Sequence, residues 1–281
     1  MFMKIKRSQF VRRFSLGIAA TLLVSACSPS TSGGDATSDT ATGDSADKII
    51  KVGTEPAFAP FEFQGDGGEI EGFDIDLFNA IGEATGYEIR FESLPFDGLI
   101  PALQANNIDA AISGMTITAA RSQTVDFSQP YFKAGLAIAI AEDNNEVKSL
   151  DDLAGKRIAV AIGTTGAATA ADIDGAKVTT FDNAPLALQD LANGNADAVI
   201  NDAPVTLYAL TEGGVQGLKV IDQLLTEEFY GIATPKGSDK LAVINEGLTT
   251  IIENGTYAEI YQEWFGVEPP ELPAEYEPPA D

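Results

Sequence analysis

The chain has 281 residues and a formal charge of −25, with 42 acidic residues against 17 basic ones, one cysteine and no histidine. Such a field argues against nucleic acid as a partner and modestly favours cationic small solutes over anionic ones, although solubility alone is sufficient reason for it. Lack of histidine excludes His-based triads, His-zinc sites and imidazole acid–base chemistry, and a lone cysteine cannot close an internal disulfide.

Residues 1–26 read as a signal peptide. Lys4, Lys6, Arg7, Arg12 and Arg13 precede an apolar run from Phe14 to Val24 that is too short to span a bilayer. The next residues, Val24-Ser25-Ala26-Cys27, resemble the lipobox of bacterial lipoproteins, which implies that Cys27 becomes the lipidated first residue of the mature chain. Without the five leader cations, 12 basic residues face 42 acidic ones, a net of −30. Residues 27–47 hold no large apolar side chain and read as a flexible tether. Residues 268–281 are rich in Pro and Glu and are expected to be a disordered tail. About 220 residues remain, which suits two lobes better than one small core.

In chain order, Lys48-Ile-Ile-Lys-Val52 is predicted to be a strand ending in Gly53-Thr54-Glu55-Pro56. Phe58 to Phe63 mixes aromatics and prolines and suits a rigid loop. Gly72-Phe73-Asp74 opens a helix with Leu77, Phe78 and Ile81 on one face, closed by Gly86. A strand from Tyr87 to Leu94 and a helix through Leu103 lead to a short buried strand, Asp109-Ala-Ala-Ile112. Thr118 is the expected N-cap of a short helix carrying Arg121. Tyr131 to Ala141 reads as one long apolar strand, followed by a second α/β series. That series contains a short helix capped at Ser149, the strand from Arg157 to Ile162, the turn Gly163-Thr-Thr-Gly166, a helix from Pro185 and the strand Asp197-Ala-Val-Ile200. After Glu228-Phe-Tyr-Gly231 two helices close the chain, and the alternation of strands and helices implies mainly parallel sheets with helices on their faces.

One internal echo bears on function. Leu103-Gln104 through Asp109-Ala-Ala-Ile-Ser113-Gly114 resembles Leu188-Gln189 through Asp197-Ala-Val-Ile-Asn201-Asp202. Each places a polar pair at the C-terminal end of a strand, where ligands of open α/β sheets bind. Arg121, with the amides and hydroxyl around Gly114 and Thr116, offers a planar fork for a carboxylate; the plain alternative is a turn with a surface arginine. Thr165 sits at a helix start whose free N–H groups favour an anion, and the turn lacks the lysine of a phosphate loop. Asp202 is suited to an ammonium group, unless it serves only as the N-cap of the next helix. Two similar units of opposite charge across a cleft suit a zwitterion. Glu55 adds a second acid at the same sheet edge, and Phe58 and Phe96 either sandwich a flat or cationic side chain or simply belong to the core.

Gly53-Thr-Glu-Pro-Ala-Phe-Ala-Pro-Phe-Glu62, Gly72-Phe-Asp-Ile-Asp76, Gly114-Met-Thr-Ile-Thr118, Asp126-Phe-Ser128, Asn254-Gly-Thr-Tyr257 and Trp264-Phe265 resemble the polar amino-acid-binding proteins of ABC importers. Within this family (family 3 solute-binding proteins) the likeness is to the glutamine-binding, arginine-binding and lysine/arginine/ornithine- and histidine-binding members. The resemblance implies an α/β, two-lobed periplasmic-binding-protein fold of type II. Its first lobe would be residues 48–132 and 229–267, its second 133–228, joined by hinge strands near Tyr131–Gly135 and Thr226–Tyr230. It also implies a monomer without cofactor or metal, held outside the cytoplasm by the lipid on Cys27, closing on a free L-amino acid and docking on an ABC permease. Residue by residue, Gly114, Thr116, Arg121 and Thr165 match carboxylate-binding positions and Asp202 the ammonium-binding one. Glu55, Phe58, Phe96 and Ser113 match positions lining the side-chain pocket.

Two departures bear on the ligand. Glutamine binders of this group carry a lysine where this chain has Ala161, and a histidine where it has Asn201. Loss of two cations beside a retained Glu55 favours a cationic side chain, since a buried charge wants a partner. Arginine is therefore expected first, then lysine and histidine, with glutamine as the alternative. The competing class is an enzyme on the same scaffold, resembling dehydratases of cyclic prephenate-like acids, with Glu55 the available general acid.

Overall fold

The computed structural model describes residues 48–221 and 223–278. The expected signal peptide, the lipid-bearing Cys27 and the tether lie outside the described residues.

The chain opens with β1 (Ile49–Thr54), which buries Ile50 and Val52. The stretch expected to be a rigid loop instead forms a small antiparallel sheet of β2 (Ala57–Phe58), β3 (Glu62–Gln64) and β4 (Ile70–Glu71). Phe58 pairs with Glu62 around the cis Ala59–Pro60 peptide, so the prolines turn a hairpin rather than prevent one. Helix α1 (Phe73–Thr85) presents Phe73, Leu77, Phe78 and Ile81 to the core and stops at Gly86, as its 3.6-residue spacing predicts. Then follow β5 (Glu88–Ser93), α2 (Phe96–Gln104), β6 (Ala110–Ala111), α3 (Ala119–Ser122) and β7 (Val125–Phe127). In α3 the Thr118 hydroxyl accepts the Arg121 N–H at 3.2 Å, so the expected cap is present.

The predicted single strand from Tyr131 to Ala141 is two strands, β8 (Phe132–Ala134) and β9 (Leu136–Ala141), broken at Gly135. A Cβ at Gly135 would lie 2.3 Å from the Thr226 carbonyl oxygen, so a second chain segment crosses there and the strand changes partner. Beyond it come a 3-10 turn (Leu150–Leu153) closed by a Ser149–Asp152 capping box, β10 (Arg157–Ala161), α4 (Thr165–Ala171), β11 (Lys177–Phe181) and α5 (Ala184–Ala192). The chain continues through β12 (Ala198–Asp202), α6 (Ala203–Thr211), β13 (Leu218–Val220), β14 (Glu228–Tyr230) and β15 (Ala233–Pro235). It closes with α7 (Lys240–Glu253) and α8 (Thr256–Phe265).

These strands make two five-stranded sheets, ordered β5-β1-β6-β15-β7 and β11-β10-β12-β9-β13. Both are mixed. In the first, β5, β1 and β6 run parallel while β15 runs antiparallel to β6 and β7. In the second, β11, β10 and β12 run parallel and β9 antiparallel. Between the sheets β8 pairs with β14 as a separate two-stranded connection. The first half has an aromatic core, with Phe61, Phe73, Phe132, Tyr230 and Phe265 all 2 % exposed or less. The second is aliphatic, built on Leu136, Ile138, Ile158, Val160 and Ile200.

The end of the chain departs from the expected disordered tail. Leu272 packs against the first core, and the Tyr276 ring lies 4.7 Å from that of Phe229 on β14. Its two large apolar side chains find a surface, which composition averaged over the segment conceals.

Candidate functional site

A narrow cavity lies between the two halves. From the first half it is lined by Glu55, Phe58, Phe96, Gly114, Thr116 and Arg121, and from the second by Ala161, Thr164, Thr165, Ala184 and Asp202. All the predicted ligand residues except Ser113 therefore meet in one place, at the C-terminal ends of β1, β6, β10 and β12, where an open α/β sheet presents its free backbone groups.

Arg121 ties the two halves together. Its Nη1 donates to the Thr116 carbonyl at 2.8 Å and its Nη2 to the Gly163 carbonyl at 2.9 Å, in the β10–α4 turn. The Phe96 ring lies under the guanidinium, 5.3 Å from its centre. Burial pushes the Arg121 pKa down, while Asp202 and Glu228 favour its charge. Gly114 has φ of 51°, and a Cβ there would lie 2.5 Å from Phe58 Cε1, so this backbone approach to the cavity admits only glycine.

Asp202 ends β12. Its side chain makes no capping bond to α6, so the N-cap alternative does not account for it. It accepts the Tyr230 hydroxyl instead. Burial first, and then the charge of Glu228, push its carboxyl up to about 7. Glu55 is 8 % exposed, and its carboxyl is pushed up to about 8 by burial first, then by Asp97 and Asp182. Among the described residues no side-chain hydrogen bond meets the Glu55 carboxyl. Phe58 and Phe96 belong to both alternatives at once: each packs on a hydrophobic core and each lines the cavity.

Two side chains, Ser113 and the Thr116 hydroxyl, do not serve as the sequence implied, whereas for Thr165 the expectation concerned the N–H groups at the helix start. Ser113 is absent from the cavity wall. Its hydroxyl donates to Glu62 Oε1 at 2.7 Å and accepts the Glu55 N–H at 3.0 Å, so it fixes the backbone that carries Glu55. The hydroxyls of Thr116 and Thr165 both donate to Glu228 Oε2, at 2.7 and 3.1 Å. A hydroxyl has one hydrogen, so neither threonine has an O–H left to donate to the cavity. Helix α4 is only seven residues long and adds little dipole at its N-terminus.

Beneath the site Glu62 and Asp74 are both fully buried. Asp74 Oδ2 accepts the Gly114 N–H at 2.9 Å and the Tyr131 hydroxyl at 2.8 Å, holding the Gly114 turn in place. Glu62 Oε2 and Asp74 Oδ1 have no other partner, and the two carboxyls face one another, which one shared proton satisfies. Burial pushes both pKa values up, Asp74 to about 6. Sequence reasoning missed Glu228, Tyr230, Asp97 and Asp182. The only signal for Glu228 is an acid inside the apolar run Phe229-Tyr230, and Glu227 beside it looks the same.

Residues 50–267 match the family model described as bacterial extracellular solute-binding proteins, family 3. A probable histidine-binding protein of Neisseria gonorrhoeae is 35 % identical over 89 % of this chain and 96 % of its own length. The arginine-binding protein 1 of an ABC transporter in Escherichia coli K12 is 36 % identical over 79 % of this chain and 93 % of its own. Among solved structures, the arginine-, lysine-, histidine-binding protein ArtJ of Geobacillus stearothermophilus superposes with a TM-score of 0.76 at 39 % identity, covering 79 % of this chain and 97 % of that one. An ancestral arginine-binding protein bound to arginine superposes with a TM-score of 0.73 at 44 % identity, over 78 % of this chain and 99 % of its own. An ancestral arginine-binding protein has also been solved bound to glutamine.

Proposed function

This chain belongs to the bacterial extracellular solute-binding proteins of family 3, and from that premise we propose that it closes on one free amino acid with a cationic side chain, arginine before lysine or histidine. It is the substrate-binding protein of an amino-acid ABC transporter, with the type II periplasmic-binding-protein fold, and not an enzyme. The observation that carries the ligand assignment is Glu55, a buried carboxyl that no side-chain hydrogen bond meets among the described residues, on the same cavity wall as Phe58 and Phe96.

In this reading Arg121 and the backbone N–H groups of Thr116 and Thr165 hold the α-carboxylate beside Gly114, whose own N–H is taken by Asp74, and Asp202, steadied by Tyr230, takes the α-ammonium. Glu55 meets the side-chain cation, with Asp97 and Asp182 adding negative potential outside it. Residues 48–132 and 229–267 form one lobe and 133–228 the other; ligand bridges them and stabilises the closed form. The closed form docks on an ABC permease, and a lipid on Cys27 holds the protein at the membrane.

Calorimetric titration of unfolded and refolded, hence ligand-free, mature protein against arginine, lysine, histidine, glutamine and glutamate tests the assignment. Tight arginine binding with weak glutamine supports Glu55 as the partner. The structure of an ancestral arginine-binding protein with glutamine bound keeps glutamine as the second reading, and tight glutamine alone would make it the first.

A further inference from the structure

Strand β14 contributes no residue to the cavity wall but bonds to residues that do. Glu228 and Tyr230, two apart, point to the same side, and Phe229 points away toward Tyr276. Tyr230 donates to Asp202. Glu228 is 7 % exposed, yet it does not line the cavity; it stands behind the wall. Its Oε2 accepts hydroxyls from both halves, Thr116 beyond β6 at 2.7 Å and Thr165 at the start of α4 at 3.1 Å. Its Oε1 accepts the Thr226 hydroxyl at 3.1 Å, which aims the carboxylate from the connecting strand.

We propose that Glu228 is a positioning residue that latches the two halves together before ligand arrives. Glu228 stands at the boundary of the two lobes, so its bonds to Thr116 in the first half and Thr165 in the second coexist only when the halves have closed, and together they stabilise the closed arrangement whether or not the cavity is filled. Three hydroxyl donors satisfy the buried carboxylate, and the two guanidinium bonds of Arg121 described above go to the Thr116 and Gly163 carbonyls rather than to Glu228. The carboxylate therefore does not sit in the ligand's anion seat. It turns two hydroxyls away from the cavity and leaves the adjoining N–H groups as the donors that ligand meets. A latch of this kind raises the closed population of the empty protein, and affinity for every ligand rises by the same factor because closure is part of each binding event.

The test uses the full mature protein with a dye pair, one on each half, read with no ligand and with arginine, alongside Kd values for arginine and glutamine. Glu228→Ala is expected to lengthen the ligand-free distance and to weaken both ligands by the same factor, about tenfold. Thr165→Val should reproduce the effect, and the double variant should be no worse than either single one. Thr165→Ser, which restores the hydroxyl, should recover wild-type behaviour. A gain in affinity in Glu228→Ala would overturn the proposal and make the carboxylate a competitor for the anion seat. An unchanged ligand-free distance, or additive effects of the two variants, would overturn it as well. The ligand arm rests on the reading of the cavity given above; if arginine fails to bind, that reading fails, while the ligand-free distance still decides the latch. Should Glu228→Ala fold poorly, Thr165→Val alone carries the same outcomes.

Discussion

Glu55 and Asp202 are carboxyls that burial holds neutral in the empty cavity, at about 8 and about 7. A carboxyl that is neutral when empty and charged when bound to a cation gives up its proton on binding, so affinity rises with pH until its empty-state value is passed. On the proposed assignment Asp202 meets the ammonium of every amino acid, whereas Glu55 meets only a cationic side chain. Arginine affinity is therefore expected to climb up to about pH 8, about tenfold per unit just below it, while glutamine affinity levels off near pH 7. Titrations at fixed ionic strength from pH 5.5 to 9 check the two curves. Glu55→Gln should remove the extra arginine slope and weaken arginine on the order of 100-fold, with glutamine changed only severalfold. If selectivity between the two were untouched, Glu55 would not be the side chain's partner. Arg121→Ala or Asp202→Ala should abolish calorimetric binding of every ligand. These charged residues were legible in the sequence because each follows a strand end beside a polar pair. Glu228 was not, because what distinguishes it from Glu227 is burial among three hydroxyls that lie far apart in the chain.

At the scale of elements, the Gly114 turn joins β6 to the site through one backbone conformation. Gly114→Ala would place a left-handed φ on a residue with a Cβ and drive that Cβ into Phe58. A loss of about 1–3 kcal/mol follows, seen as a melting midpoint lower by several degrees together with weaker binding. The helices and the echoed α–β units were readable because apolar spacing of 3.6 and short buried runs are local signals. The break at Gly135 and the antiparallel β9 and β15 were not, since strand direction depends on which distant segment arrives alongside. The hairpin of β2 and β3 was hidden by prolines that mark either a loop or its turn.

For the whole molecule, three buried carboxyls, Glu55, Asp202 and Asp74, hold protons in the folded state that the unfolded chain releases. Their folded values lie above the ordinary ones, so the stability they give is present below about pH 4 and is lost as pH rises through 6, 7 and 8. Self-repulsion of the net negative chain grows in the same direction. Thermal denaturation of the ligand-free protein should thus show a midpoint that falls by several degrees between pH 5.5 and 8.5, and a smaller fall with saturating arginine, whose cations meet Glu55 and Asp202. A flat profile would mean that these carboxyls are already ionised when empty.

The strand order of the first sheet also sets a timetable. β15 sits between β6 and β7, where Ala233 pairs with both Ala111 and Phe127. A chain made from its N-terminus therefore carries β6 and β7 with a vacant slot between them until the segment around Ala233 has emerged. The second sheet has every strand between Leu136 and Val220 and can close earlier. The half that is started first is finished last, and it is the one whose unpaired edges need shielding while the rest of the chain is still arriving.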